Sequence, residues 1–186
     1  MSNLFVDNIK HQSSQGSGTI TLGASGETVA LASGASQTMA VNTPYFEARR
    51  SGTQTITNDT NTKIACDVET WDTAGDYDNA TNYRFTPQTA GKYFIYGQAT
   101  AQADIQQLKR FSLFIRKNGS DVKYMSNYFT NNEAYINTIY LSTIIDFNGS
   151  SDYVELWCKL EYASSGTLVI DGGTPGPTFG GYKIIE

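Results

Sequence analysis

From residue 45 onward, apolar and polar residues alternate in short segments separated by turn residues, the pattern of strands with one buried face. Residues 45–50 form the first such segment. Residues 63–69 set Ile64, Cys66 and Val68 on one face and Ala65, Asp67 and Glu69 on the other. Residues 83–86 are short and stop at Pro87. Residues 91–100 carry Tyr93, Phe94 and Tyr96. Residues 111–117 face 121–128 across Asn118-Gly119, a pair that favours a two-residue hairpin turn. Residues 137–147 face 152–162 across Asn148-Gly149-Ser150-Ser151, and 178–186 close the chain. No helical period of useful length occurs. About eight main strands in one domain predict an all-β sandwich or jelly roll.

The first forty residues are of different material. They hold one aromatic, Phe5, and three charges, Asp7, Lys10 and Glu27, among many Gly, Ser and Thr. Such a segment cannot bury enough surface to fold alone. Thr19-Ile20-Thr21-Leu22 recurs nine residues later as Thr28-Val29-Ala30-Leu31, with strand alternation in each copy. Two readings stand: a flexible linker, or a short β-stalk that pairs with other chains or docks on a larger assembly. Leu4, Phe5, Val6, Ile9, Ile20, Leu22, Val29 and Leu31 are the candidate docking residues. The domain division is therefore 1–43, a stalk or docking segment, and 44–186, a β head.

Composition narrows the function. The 186 residues carry a net charge of -5, and only 17% are charged. That balance lacks the cationic footprint of nucleic-acid binding. No apolar run is long enough to insert in a membrane. The N-terminus lacks the basic and apolar regions of a secretory signal, so none is expected. Two cysteines and one histidine cannot build a disulfide framework or a multi-histidine metal site. His11, in a polar stretch, is expected to be solvated. Cys66 and Cys158 fall in phase with core aliphatics and are expected to be buried thiols. Trp157 falls on the opposite face, where it would anchor a subunit interface or pack under a loop.

The run Asp72-Thr73-Ala74-Gly75-Asp76-Tyr77-Asp78, followed by Phe85-Thr86-Pro87-Gln88-Thr89-Ala90-Gly91-Lys92-Tyr93, resembles the signature of the globular head of the complement first component, subunit q (C-one-q). The ending Thr178-Phe179-Gly180-Gly181-Tyr182-Lys183-Ile184-Ile185 is similar to that family's closing strand. The pattern departs at three places. One extra residue lies between Tyr77 and Phe85, Cys66 stands for an aromatic, and Ile95 stands for another. The resemblance covers about residues 45–186. It implies a ten-stranded jelly roll like that of tumour necrosis factor, assembled as a homotrimer with both termini at the base. Gly does not recur every third residue, so a collagen stalk is excluded. The N-terminal wording is similar to short fibre and tail-associated proteins of tailed bacteriophages.

On that fold the short turns at 87–91, 118–120 and 148–152 are expected at the base. The longer connections 70–82, 101–110, 129–136 and 163–177 are expected at the distal tip, where loops on a scaffold present binding surfaces. The candidate ligand-contact residues there are Trp71, Asp72, Asp76, Gln102, Asp104, Gln106, Gln107, Asn131, Asn132, Glu133, Tyr135 and Asp171. Amides and carboxylates bond hydroxyls, and aromatic rings stack on apolar faces, so a host cell-surface glycan or protein is the expected partner. No catalytic residue is assigned, because the single histidine leaves no Ser-His-Asp site and nothing aligns a carboxylate pair. No cofactor is expected. Acidic loops at a trimer apex could share a calcium ion through carboxylate and amide oxygens, though no ligand spacing for it is recognisable. The resulting expectation is a non-enzymatic virion protein: a trimeric short tail or head fibre, docked to other virion proteins through its N-terminus and binding the host through its head. A bacterial surface or secreted lectin-like module and a capsid decoration protein without a receptor are the alternatives.

Overall fold

The computed structural model describes residues 42–173 and 176–185. The candidate docking residues from Leu4 to Leu31 lie outside the described residues. Within them, thirteen strands form two antiparallel sheets.

The first sheet contains β1 (Tyr45–Arg49), β2 (Gln54–Ile56), β4 (Val68–Asp72), β7 (Gly91–Ala103), β10 (Ile136–Phe147), β12 (Leu168–Ile170) and β13 (Thr178–Lys183). Here β7 is central. It pairs with β10 along one side, and with β13 and then β12 along the other. The second sheet runs β5 (Tyr77–Asp78), β6 (Arg84–Phe85), β11 (Val154–Tyr162), β8 (Leu108–Lys117), β9 (Ser120–Tyr128), with β3 (Thr62–Lys63) also against β11. This is the jelly-roll sandwich that the alternation predicts.

The core lies where the inner faces meet. Phe46 stacks on Phe85 at 4.1 Å between centroids and on Tyr77 at 5.3 Å, while Phe179 meets it edge-on at 5.1 Å. Tyr93 and Phe147 close the same cluster at 5.2 Å. Each pair gains about 0.5–1.5 kcal/mol beyond its area burial. Cys66 and Cys158 are buried and unpaired, as their phase predicts. Burial pushes the Cys66 thiol up to about 12 and also raises that of Cys158, so both stay protonated and inert.

At Asn118-Gly119 both residues have positive φ, 51° and 79°. That is the primed hairpin turn its sequence calls for, and glycine takes the second position without steric cost. Residues 63–69 depart from expectation. They form no single strand: β3 ends at Lys63 in the second sheet and β4 begins at Val68 in the first. Ile64 and Cys66 are still buried, because the chain crosses between the sheets there. Asp67 holds the crossing by accepting from Ser51 N (2.7 Å), Ser51 Oγ (2.7 Å) and Arg50 Nη1 (3.1 Å).

The turn after β5 is organised by Asp78. Its carboxylate accepts from the backbone N–H of Ala80 (3.0 Å), Thr81 (2.8 Å) and Asn82 (3.1 Å) and from Asn82 Nδ2 (2.7 Å). These bonds, led by that from Thr81, lower its pKa from 3.8 to about 2. A lowered folded pKa contributes stability above the unfolded value and loses it as the carboxylate protonates. The stability advantage of wild type over Asp78→Asn is therefore expected in full above pH 3.8 and to shrink as pH falls toward about 2. Denaturant unfolding of both proteins across that window is the measurement. A constant difference would show that the carboxylate's charge is irrelevant to the turn.

Candidate functional site

Strand β1 leaves the base at Tyr45, and β7 runs the same way from Gly91. The far ends of β7, β8, β9, β10, β11 and β12 then meet at the tip. There the long connections bond one another. Asp104 Oδ1 accepts from Thr167 N (2.9 Å), and its own N–H donates to Thr167 O (3.1 Å). Gln106 Nε2 donates to Asn132 Oδ1 (3.1 Å), and Ser164 Oγ donates to Gln107 Oε1 (2.9 Å). Ala103 N donates to Tyr135 O (3.0 Å). Gln102, Asp104, Gln106, Gln107, Asn132, Tyr135 and Asp171 are thus gathered at one end, as their loops predict. Asn131 and Glu133 lie in the same 129–135 connection, Asn131 exposed and Glu133 half-buried.

A groove of about 390 Å³ opens at this end, lined by Thr53, Gln102, Asp104, Tyr135, Val169 and Asp171 among others. Gln102 and Val169 are register partners on β7 and β12, so they share its floor. Tyr135 is 48% exposed, and its Oη accepts from Gln102 Nε2 at 2.8 Å, which fixes the ring. The backbone N–H of Thr167 is the main cause that lowers the pKa of Asp104, so that carboxylate is charged at neutral pH. Among the described residues lining the groove, none is cationic. The space falls in the range of small-molecule sites, about 300–1,000 Å³. Thr53 and Val169 had no sequence signal, since their segments read as plain loops.

Trp71, Asp72 and Asp76 do not join this group. The expected distal position of 70–82 is corrected: residues 72–76 lie at the base. Asp76 Oδ2 accepts from Gln88 N (3.2 Å), and Gln88 Nε2 reaches Ser150 O (3.5 Å), which ties together the two short basal turns. Thr73 N donates to Tyr45 O (3.1 Å). The two-residue β5 adds a strand inside 70–82, which leaves the turn before it at the base. Asp72 is a turn former: Oδ1 accepts from Ala74 N and Gly75 N, and Oδ2 accepts from Tyr77 N. Burial raises the pKa of Asp76.

Trp71 belongs instead to the outer face of the first sheet. Tyr45, Tyr182, Phe94 and Ile144 form one row across β1, β13, β7 and β10, and Trp71, Glu47, Gly180 and Tyr96 form the next across β4, β1, β13 and β7. Tyr96 lies over Gly180 to donate its Oη to Glu47 Oε2 at 2.7 Å. A Cβ at residue 180 would fall 2.4 Å from that ring, so only glycine leaves the ring its path. A recess of about 290 Å³ sits among Tyr45, Glu47, Trp71, Tyr96 and Tyr182. Trp71 is 59% exposed and Ile144 58%. The sequence did carry a signal for this face. Tyr93-Phe94-Ile95-Tyr96 is an unbroken apolar run, which marks a strand covered on both sides.

Trp157 lies on the outer face of the second sheet, packed by its own chain. Its Nε1 donates to Glu155 Oε2 (2.9 Å), Arg116 sits over its ring at 4.6 Å, and Lys63 bonds Glu155 Oε1 at 2.6 Å.

No protein-family model and no curated protein sequence matches the chain. Solved structures do. The globular domain of zebrafish complement 1qA protein aligns with a TM-score of 0.53 at 16% identity, over 77% of this chain and 98% of its own. Eiger TNF from S. frugiperda aligns at 0.52 and 11%, over 76% and 92%. Murine APRIL at pH 5.0 aligns at 0.55 and 10%, over 75% and 98%. At these identities the likeness concerns the fold, and the described residues thus share the jelly-roll architecture of the complement 1q and tumour necrosis factor structures.

Proposed function

We propose that the protein is a structural and adhesion component of a virus particle: a homotrimeric short fibre whose jelly-roll head meets the host surface. The observation that carries the assembly is the uncovered aromatic face of the first sheet. A monomer rarely leaves so many large apolar side chains together in water. A second uncovered strip lies on β9, where Val122, Tyr124, Met125 and Tyr128 are all exposed. Two different sticky surfaces on one chain favour a head-to-tail contact, which closes into a ring when the rotation permits. The fold shared with complement 1q and tumour necrosis factor structures agrees with three-fold closure.

The N-terminal resemblance to bacteriophage fibre proteins supports the virion placement, with the N-terminal segment docking on other virion proteins. Three heads on one body multiply weak sites by avidity, which suits a polar tip built for contact rather than catalysis. Among the described residues no three acidic, Cys or His side chains cluster within one chain. A calcium ion at the apex would therefore take ligands from all three copies.

The test has two parts. Light scattering of the full chain is expected to give about 61 kDa, three times 20.4 kDa. Antibody raised against the protein is expected to label purified particles in electron micrographs, and added protein is expected to block particle attachment to cells. A monomer would remove the assembly. Unlabelled particles would remove the virion role, and unhindered attachment the adhesion role.

A further inference from the structure

We infer that the tip groove is a saccharide site selective for neutral pyranoses over anionic ones. The inference rests on the reading of the tip as the host-facing end and names the chemistry of its ligand. A pyranose ring has an apolar C–H face and an edge of hydroxyls. The groove offers a match for each. The half-exposed ring of Tyr135, held by Gln102 Nε2 at 2.8 Å, is an oriented platform for the C–H face. Val169 adds an apolar patch on the floor. The Gln102 amide and the carboxylates of Asp104 and Asp171 meet the hydroxyl edge.

The mutual bonding of the loops fixes these groups in advance. The Asp104 carboxylate is held by Thr167 N (2.9 Å), and the backbone at Asp171 is fixed by its N–H to Thr100 O (2.9 Å), which sets that residue in the groove lining. A site formed before binding loses little entropy when the ligand arrives. Selectivity comes from charge. Two carboxylates with no cation among the described lining residues repel a sugar acid, and discrimination by like charge costs a competitor directly. Arg50, the nearest basic residue in sequence to Thr53, is committed to Asp67 at 3.1 Å.

The experiment uses full-length protein and saturation-transfer difference NMR. The probes are methyl α-D-mannopyranoside, methyl β-D-galactopyranoside and methyl α-D-glucopyranoside, with methyl β-D-glucuronide as the anionic counterpart. Transfer to at least one neutral glycoside and none to the glucuronide is expected. Tyr135→Ala is expected to weaken the binding by about tenfold through loss of the stacked ring. Tyr135→Phe keeps the stacking ring but loses its tie to Gln102, so it is expected to weaken the binding less than Tyr135→Ala, and a folding defect in the alanine variant leaves the idea testable. Asp171→Asn is expected to admit the glucuronide. No transfer to any neutral glycoside, equal transfer to the glucuronide, or indifference to Tyr135→Ala each overturns the inference. Protein that blocks cell attachment yet ignores all four glycosides would point to a protein ligand and leave the adhesion reading standing. Protein that binds the glycosides but does not block attachment would sink that reading and keep the groove.

Discussion

Ile144→Glu is expected to turn the assembled head into a folded monomer. Ile144 stands in the row with Tyr45, Tyr182 and Phe94, on a face that a single chain leaves in water. In one chain its side chain is 58% exposed, so the substitution changes the isolated fold by about 0.5 kcal/mol or less. In the trimer the same position would place a carboxylate in an apolar contact at three equivalent sites. An unpaired buried charge costs several kcal/mol, enough to dissociate an assembly held by three such contacts. Light scattering at fixed concentration is expected to fall from three chains to one, while far-ultraviolet circular dichroism keeps its strand signature. A trimer that persists would show that the aromatic face of the first sheet is not the assembly contact and would remove the head-to-tail pairing of that face with the β9 strip.

Phe85→Ala is expected to cost about 3–5 kcal/mol, the range for deleting a buried aromatic. Phe85 is fully buried on β6 of the second sheet and stacks on Phe46 of β1 in the first, at 4.1 Å with planes 15° apart. Tyr93 and Phe147 meet it edge-on at 5.8 Å and 6.3 Å. The ring therefore ties both sheets through one side chain, and the strands around it cannot collapse into the space without breaking their ladders. For a head of this size the loss corresponds to a Tm lower by about 10 °C, measured at one protein concentration because subunit association shifts the apparent value. A loss below 1 kcal/mol would mean that the aromatic cluster repacks, and that the sheets are held elsewhere.

The long strands were legible because each keeps one face in the core for many residues. β7, β8, β10 and β11 were all found, and the Asn118-Gly119 turn fixed the β8–β9 register. The three-residue strands β2 and β12 were not legible. They exist through pairing with each other and with β7, and three residues are too few for a period to appear. The two-residue β5 escaped for the same reason, and with it the correct end for residues 72–76. The tip residues Gln102, Asp104, Tyr135 and Asp171 were legible as long-loop polar groups. Their arrangement into a groove was not, since Thr53, just before β2, and Val169, on β12, are placed only by the assembled sheet. The aromatic face is hidden from a reading of simple alternation, which assumes one buried side, whereas residues 93–96 are apolar on both.

The tip loops are fastened to each other, with Asp104 to Thr167, Gln106 to Asn132 and Gln107 to Ser164. If the tip is the host-facing end, as proposed, this bears on how the head would change host range. Lengthening any one loop would unfasten its neighbours together, so insertions are costly here. The side chains of Tyr135 and Asp171 line the groove and take no part in these three loop-to-loop bonds, so they can be exchanged without disturbing them. A lineage under pressure to recognise a new surface would then adapt by single substitutions at fixed loop length, keeping one scaffold while its specificity drifts.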